Sequence, residues 1–231
     1  ERARWEPLVE VFQIKGTSET HPSLSPNDEF ASFGIWDTAN LNGVVKKDGD
    51  LQGEYLREAL KTGLRLQTEF GVNPFKYGMA AGSDTHNSLA TGGEEGNFWG
   101  KFVADQPSPK RWDHVMFKQQ DGFKRLGWTQ VAAGITGVWA TANTREALWD
   151  AMKRKETYAS SGPRLSVRFF GGYDFTDKDA DPASLAASGY ARGVPMGGDL
   201  RAAPAGKPPT FLFAAMKDPQ GANLDRAQII K

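Results

Sequence analysis

The 231-residue chain carries 28 Lys and Arg against 28 Asp and Glu, a formal net charge of zero, and it has no concentrated basic run, so it lacks the broad electrostatic footprint a nucleic-acid partner requires. It contains no cysteine, which excludes disulfides, thiolate metal sites and a cysteine nucleophile together. An apolar content of 39% suits one large folded domain or two small ones, and no segment reads as a membrane span or signal peptide.

Residues 8–14, LVEVFQI, alternate in polarity and favour β-structure, which predicts a strand running into Lys15 and Gly16. The loop that follows, GTSETHPSLSPND, sets Glu19 and His21 two residues apart just past the strand end, where the functional groups of a parallel barrel collect. Pro22 imposes an extended backbone on His21, which reads either as a metal ligand or as a solvated loop histidine. Asn27 or Asp28 is placed to cap a short helix through Phe33, and residues 40–53 hold enough Gly, Asn and Asp for an irregular loop that roofs the strand end. Residues 54–70 give the clearest helical stripe, with Leu56, Leu60 and Leu64 on one face and Gly71 as the stop. A short buried strand is expected at residues 77–81. Strand, helix and strand then make a βαβ unit whose right-handed crossover brings the loops carrying Glu19 and Asp84 to one edge.

At the second strand end the apolar run stops at Gly82 and SDTHN follows. In an extended segment Asp84 and His86 project to the same side. A carboxylate oxygen with an imidazole nitrogen suits zinc, manganese or iron better than calcium. The competing reading is an Asx-turn or helix cap at Asp84 beside a solvated His86. The next loop, NSLATGGEEGNFWGKF, lacks the glycine order of a phosphate loop, and its Asn97 is a candidate substrate contact. Residues 110–125 show patchy helical spacing around His114, which reads as surface or structural, and residues 128–139 suit a buried strand or loop.

A helix is expected after a capping box at Asn143 and Glu146, with Ala147, Leu148, Ala151 and Met152 inward. Its basic end at residues 153–155 complements the helix dipole. Arg164 in YASSGPR offers a two-pronged donor to a phosphate or sulfate oxygen, or one half of a structural ion pair. From residue 165 alternation returns in RLSVRFF. Residues 176–209 read as partly mobile, and 210–216 and 226–230 as strands about the turn DPQGAN. The fold class is therefore α/β over residues 1–164, followed by a β-rich, antiparallel domain over 165–231.

The segment GSDTHN resembles the last metal-binding motif of the PHP (polymerase and histidinol phosphatase) superfamily. Together with VEVFQIKGTSETHPSLSPNDEFA, NPFKYGMAAGSDTHN, NTREALWDAMKRKETYASSGPR, VPMGGDL and DPQGANLDRAQIIK, it resembles the PHP-like family catalogued as domain of unknown function 3604. The resemblance implies the C-terminal part of a PHP-type, TIM-like barrel followed by the start of an antiparallel β-domain. It also implies a metal-dependent hydrolase acting on a phosphoester or related small-molecule ester through metal-bound hydroxide, with a divalent zinc, manganese or iron held by Asp84 and His86. Glu19 is then a ligand, a carboxylate orienting His86, or a general base, and His21 is a further candidate ligand.

The chain departs from the superfamily in lacking any His-x-His pair, its histidines being His21, His86 and His114. The expectation is a fragment, cut ahead of the barrel strands shown here and inside a strand at residues 228–231. The N-terminal half of the barrel would be its missing partner, and the fragment alone would bind metal weakly and turn over little. Periplasmic or secreted placement fits the resemblance, with any leader outside the chain. Two other classes stay open. One is a non-catalytic ligand-binding or scaffold module, for which seven tryptophans offer a platform. The other is a Ser/His/Asp hydrolase using Ser18, His86 and Asp84, against which the lack of a GxSxG elbow counts.

Overall fold

The computed structural model describes residues 1–86, 88, 109–129, 134–204 and 206–231. They divide into two compact units, Glu1–Thr136 with Ala159–Gly162, and Gly137–Tyr158 with Pro163–Lys231.

The first unit begins with one helical turn, α1 (Arg2–Trp5), and a strand, β1 (Leu8–Gln13), whose Val11 is buried together with Ile14 just beyond it. The chain turns at Lys15 and returns as the two-residue β2 (Gly16–Thr17), antiparallel to β1. Only glycine fits at the turn: Gly16 has φ +112°, and a Cβ there would lie 1.9 Å from the carbonyl oxygen of Gly34. The helix α2 (Leu56–Phe70) follows, stopped by Gly71 in the left-handed region, and leads to β3 (Gly78–Ala81). β1 and β3 pair in parallel from Leu8↔Gly78 to Phe12↔Ala81, with a bulge between Glu10 and Phe12. The expected strand, helix and strand therefore form, and the sheet runs β2-β1-β3. The expected Leu stripe of α2 is only partly inward, because the buried positions are Leu56 and Gly63 while Leu64 is 64% exposed.

Two local expectations change. Around Asp28 the chain makes turns rather than a short helix, since the Asp28 carboxylate accepts from the Phe30 N–H and from Arg57. Residues 110–125 form no helix beyond the short 3-10 turn Pro109–Trp112, but a hairpin of β4 (Val115–Lys118) and β5 (Lys124–Leu126). Val115 and Phe117 favour strand, and the turn is made by Asp121, which accepts from the Phe123 N–H, with Gly122 at φ 91°. The hairpin packs on the loop before α2: Gln120 N–H donates to the Gly43 carbonyl, and Phe117 meets Trp36 edge-on at 5.8 Å.

Next come β6 (Ile135–Val138), α3 (Arg145–Lys153) and β7 (Thr157–Ser160), with β6 and β7 paired. Thr144, one residue after the expected cap Asn143, accepts from the Ala147 N–H and starts α3.

The second unit, which includes α3, contains an antiparallel sheet ordered β10-β8-β9 and built from β8 (Ser166–Gly172), β9 (Gly193–Pro195) and β10 (Thr210–Met216). Its core is Phe170, Phe175, Leu185 and Leu212. The stretch read as mobile instead carries a helix, α4 (Leu185–Arg192), which supplies Leu185 to that core. Gly189 hides α4 from propensity arguments, yet the helix needs it: a Cβ there would stand 2.5 Å from Cγ of Phe170. Residues 226–230 are exposed and form no strand, for an extended run with no neighbouring strand cannot satisfy its backbone. Among the described residues the fold is mixed α/β with small sheets, none closed into a barrel, and no helix is long and apolar enough to cross a membrane.

Candidate functional site

The loop after β1 is fastened to the start of α2. Tyr55 stands at the helix N-cap without a side-chain cap. The carbonyls of Ser18 and Glu19 accept instead from Leu56 N–H at 2.8 Å and Arg57 N–H at 3.1 Å, meeting two of the donors a helix start leaves open. Arg57 then clamps the loop, donating to Glu19 Oε1 from Nη2 at 2.6 Å and to Asp28 Oδ2 from Nη1 at 2.8 Å. That hydrogen bond from Arg57, with one from the Phe30 N–H, holds the Asp28 carboxyl below its ordinary range. The structure thus places the Glu19 carboxylate on Arg57.

His21 is 9% exposed. The Ser23 N–H donates to its Nδ1 at 3.1 Å, so the neutral ring carries its proton on Nε2, which donates to Asp37 Oδ2 at 3.1 Å. Both ring nitrogens are engaged, and the ring lies 5.7 Å from that of Tyr55. As arranged, His21 is neither solvated nor presenting a lone pair.

The end of β3 is pinned on two sides. Ala81 N–H donates to Thr136 Oγ1, which donates back to the Ala81 carbonyl, while Gly82 N–H donates to the Phe12 carbonyl and accepts at its own oxygen from Gly134. Beyond that point Asp84 has φ 47°, a left-handed conformation that Asp tolerates. The segment is therefore not extended at Asp84, and the same-side projection of Asp84 and His86 expected from strand alternation does not follow. Both residues are exposed.

A carboxyl that the sequence reading passed over joins them. Glu10 is exposed as a residue, but its Oε1 tucks in 3.1 Å from where a Cβ on Gly82 would stand. Its pKa is raised, first by desolvation and further by the charge of Asp84, with a hydrogen bond from Gln13 and the charge of Lys15 opposing. The available signal was a lone carboxylate inside the apolar run LVEVF, which the parallel register sets opposite Ala80. Among the described residues no three His, Asp or Glu side chains are gathered into a ligand set.

A cavity of about 300 Å³ opens at the β1–β2 turn, lined by Lys15, Ser18, Trp36, Lys46, Glu54 and Tyr55 among others. Lys46 pairs with Glu54, and Lys15 Nζ donates to Ser18 Oγ at 3.1 Å. The Lys15 pKa is lowered, by burial first and by Lys46 next, against the pull of Glu54, Glu10 and Asp84. Burial, with Asp37 and Glu54, pushes the Tyr55 hydroxyl up to about 12, so it remains a proton donor at neutral pH. These residues come from separate loops that only the fold brings together.

Arg164 belongs to the second unit, where its backbone N–H donates to Asp218 Oδ2 at 2.7 Å. Asn97 and the glycine-rich loop around it lie outside the described residues. A family model described as "Protein of unknown function (DUF3604)" matches residues 1–231. No curated protein and no solved structure matches the chain.

Proposed function

The chain belongs to the DUF3604 family, and from that premise we propose that it serves a metal-dependent hydrolase of the PHP type, cleaving a phosphoester or related ester of a small molecule. The observation that carries this reading is the end of β3. There Asp84, followed by His86, leaves the carboxyl end of a parallel strand pair beside the Glu10 carboxyl. Oxygen and nitrogen donors of this kind fit zinc, manganese or iron, and the repulsion between Glu10 and Asp84 is what a cation relieves. When bound, a divalent ion supplies Lewis acidity and lowers the pKa of its water. Asp84 and His86 would hold it, with Glu10 at hand as a further carboxylate. Glu19, fastened to Arg57, would act by holding the loop after β1 in place. A parallel pair bridged by a helix is also the repeating unit of a TIM-like barrel, which is compatible with this chain forming part of one.

The test is metal analysis of the intact protein that carries this chain, prepared without chelators, followed by assay on aryl phosphate and aryl sulfate esters. We expect a transition metal, hydrolysis that chelator abolishes and metal restores, and a parallel fall of metal content and turnover in Asp84→Asn with an unchanged circular dichroism spectrum. Glu19→Gln should keep the metal and lower turnover. A preparation with no metal, and with no activity gained from any, sinks the proposal. The cavity at Lys15 favours a second reading, a ligand-binding module without catalysis, which the same panel would reveal as binding without turnover.

A further inference from the structure

We propose that the cavity between the β1–β2 turn and the start of α2 binds the singly charged oxyanion group, a carboxylate or a sulfate ester, of a small organic molecule. Lys15 and Lys46 against Glu54 leave one positive charge on the lining. Lys46 is matched by Glu54, so the charge left over is that of Lys15, whose Nζ has the neutral Ser18 hydroxyl as its one hydrogen-bond partner among the described residues. A half-buried ammonium with no carboxylate in direct contact costs free energy; burial is the first cause of the lowered Lys15 pKa, and Glu54, Glu10 and Asp84 offset it only in part. A monoanion in the cavity removes that cost. A dianion would overshoot it, and a neutral guest would leave it standing.

Hydroxyl donors stand ready around the same space. Ser18 accepts from Lys15 and keeps its own proton to give. Tyr55, only 4% exposed, is among the lining residues, and its hydroxyl makes no hydrogen bond among the described residues. The rest of the lining is Ala39, Leu41 and Trp36, whose indole N–H is already given to the Ala39 carbonyl at 3.0 Å, with the polar Thr17 and Asn40 beside them. A charged head beside a partly apolar wall, in about 300 Å³, suits a guest of about one ring bearing one acidic group. The inference rests on the hydrolase reading only for calling that guest a substrate.

The experiment is calorimetric titration of the full chain with phenyl sulfate, benzoate and phenol, each with and without EDTA. Both anions should bind and phenol should not, with the stronger anion telling a tetrahedral head from a planar one. Lys15→Met should weaken anion binding about tenfold, the loss of one charge-assisted contact, with an unchanged circular dichroism spectrum. Should that variant fail to fold, the wild type decides. Limited acetylation with acetic anhydride, read by peptide mass spectrometry, should show phenyl sulfate protecting Lys15 but not Lys61. Failure of both anions to bind, equal binding of phenol, unchanged affinity in a folded Lys15→Met, or no protection of Lys15 overturns the inference. Anion binding that vanishes in EDTA also overturns it, while leaving the hydrolase reading in place. Lys15-dependent binding by a protein that takes up no metal would sink the hydrolase reading alone.

Discussion

In the second unit four apolar side chains, Phe170, Phe175, Leu185 and Leu212, close a core between the sheet and α4, whereas in the first the loops are held by polar fasteners. Arg57 holds Glu19 and Asp28, Asp37 holds His21, and Thr136 holds the end of β3. Apolar burial is non-directional and indifferent to pH. Ion pairs and hydrogen bonds are directional and titrate. A region that must hold side chains at set angles around a strand end gains from directional fasteners, and it becomes sensitive to acid in return.

The largest effect that would sharpen this contrast is expected from Phe170→Ala, which empties the most buried position of the second core and should cost about 3–5 kcal/mol. Guanidinium unfolding of the variant would measure it, and a loss under about 1 kcal/mol would mean that the core lies elsewhere.

Arg57→Met should cost about 2 kcal/mol, through the charged hydrogen bonds it removes. It should also change the acid limb of stability. The folded pKa of Asp28 lies below its unfolded value, near 3.8, so its contribution is present above the unfolded value and is lost as pH falls through the folded one. Urea midpoints compared at neutral pH and across that acid window should show a smaller acid loss in Arg57→Met than in the wild type. Parallel loss in the two proteins would break the contrast, since the clamp would then not be what titrates.

The smallest effect belongs to a neutral cap. Thr144→Ala removes the acceptor of the Ala147 N–H and should cost about 1 kcal/mol with no pH dependence between pH 5 and 8, as thermal unfolding across that range would record.

How far such elements can be read ahead depends on how local their causes are. β1, α2, β3, α3 and β10 declare themselves through alternation, helical spacing and a glycine stop, all within a few residues. The hairpin β4–β5 was obscured because Gly122 and the scattered aromatics leave a patchy pattern that periodicity resolves poorly, and α4 because Gly189 answers to Phe170 rather than to its own helix. At the site, the motif carrying Asp84 and His86 stands out by its residue types. The whereabouts of Glu19 and His21 do not, because Arg57 is 38 positions from one and Asp37 is 16 from the other. Glu10 and Lys15 acquire meaning only when β3 and the loops before α2 arrive beside them.

Leu56 and Arg57 find their amide acceptors in the carbonyls of Ser18 and Glu19, so the first turn of α2 is completed by a distant segment and not by its own sequence. An isolated helix of this length is marginal in water, and here its nucleus is shared with the β1 loop. The two should therefore assemble in a single cooperative step, and solvent exchange at the Leu56 and Arg57 amides would time the undocking of the loop rather than the fraying of a helix end. Because every residue type carries a carbonyl, this joint does not draw on the side chains at positions 18 and 19, which leaves the Ser18 hydroxyl for Lys15 and the Glu19 carboxylate for Arg57.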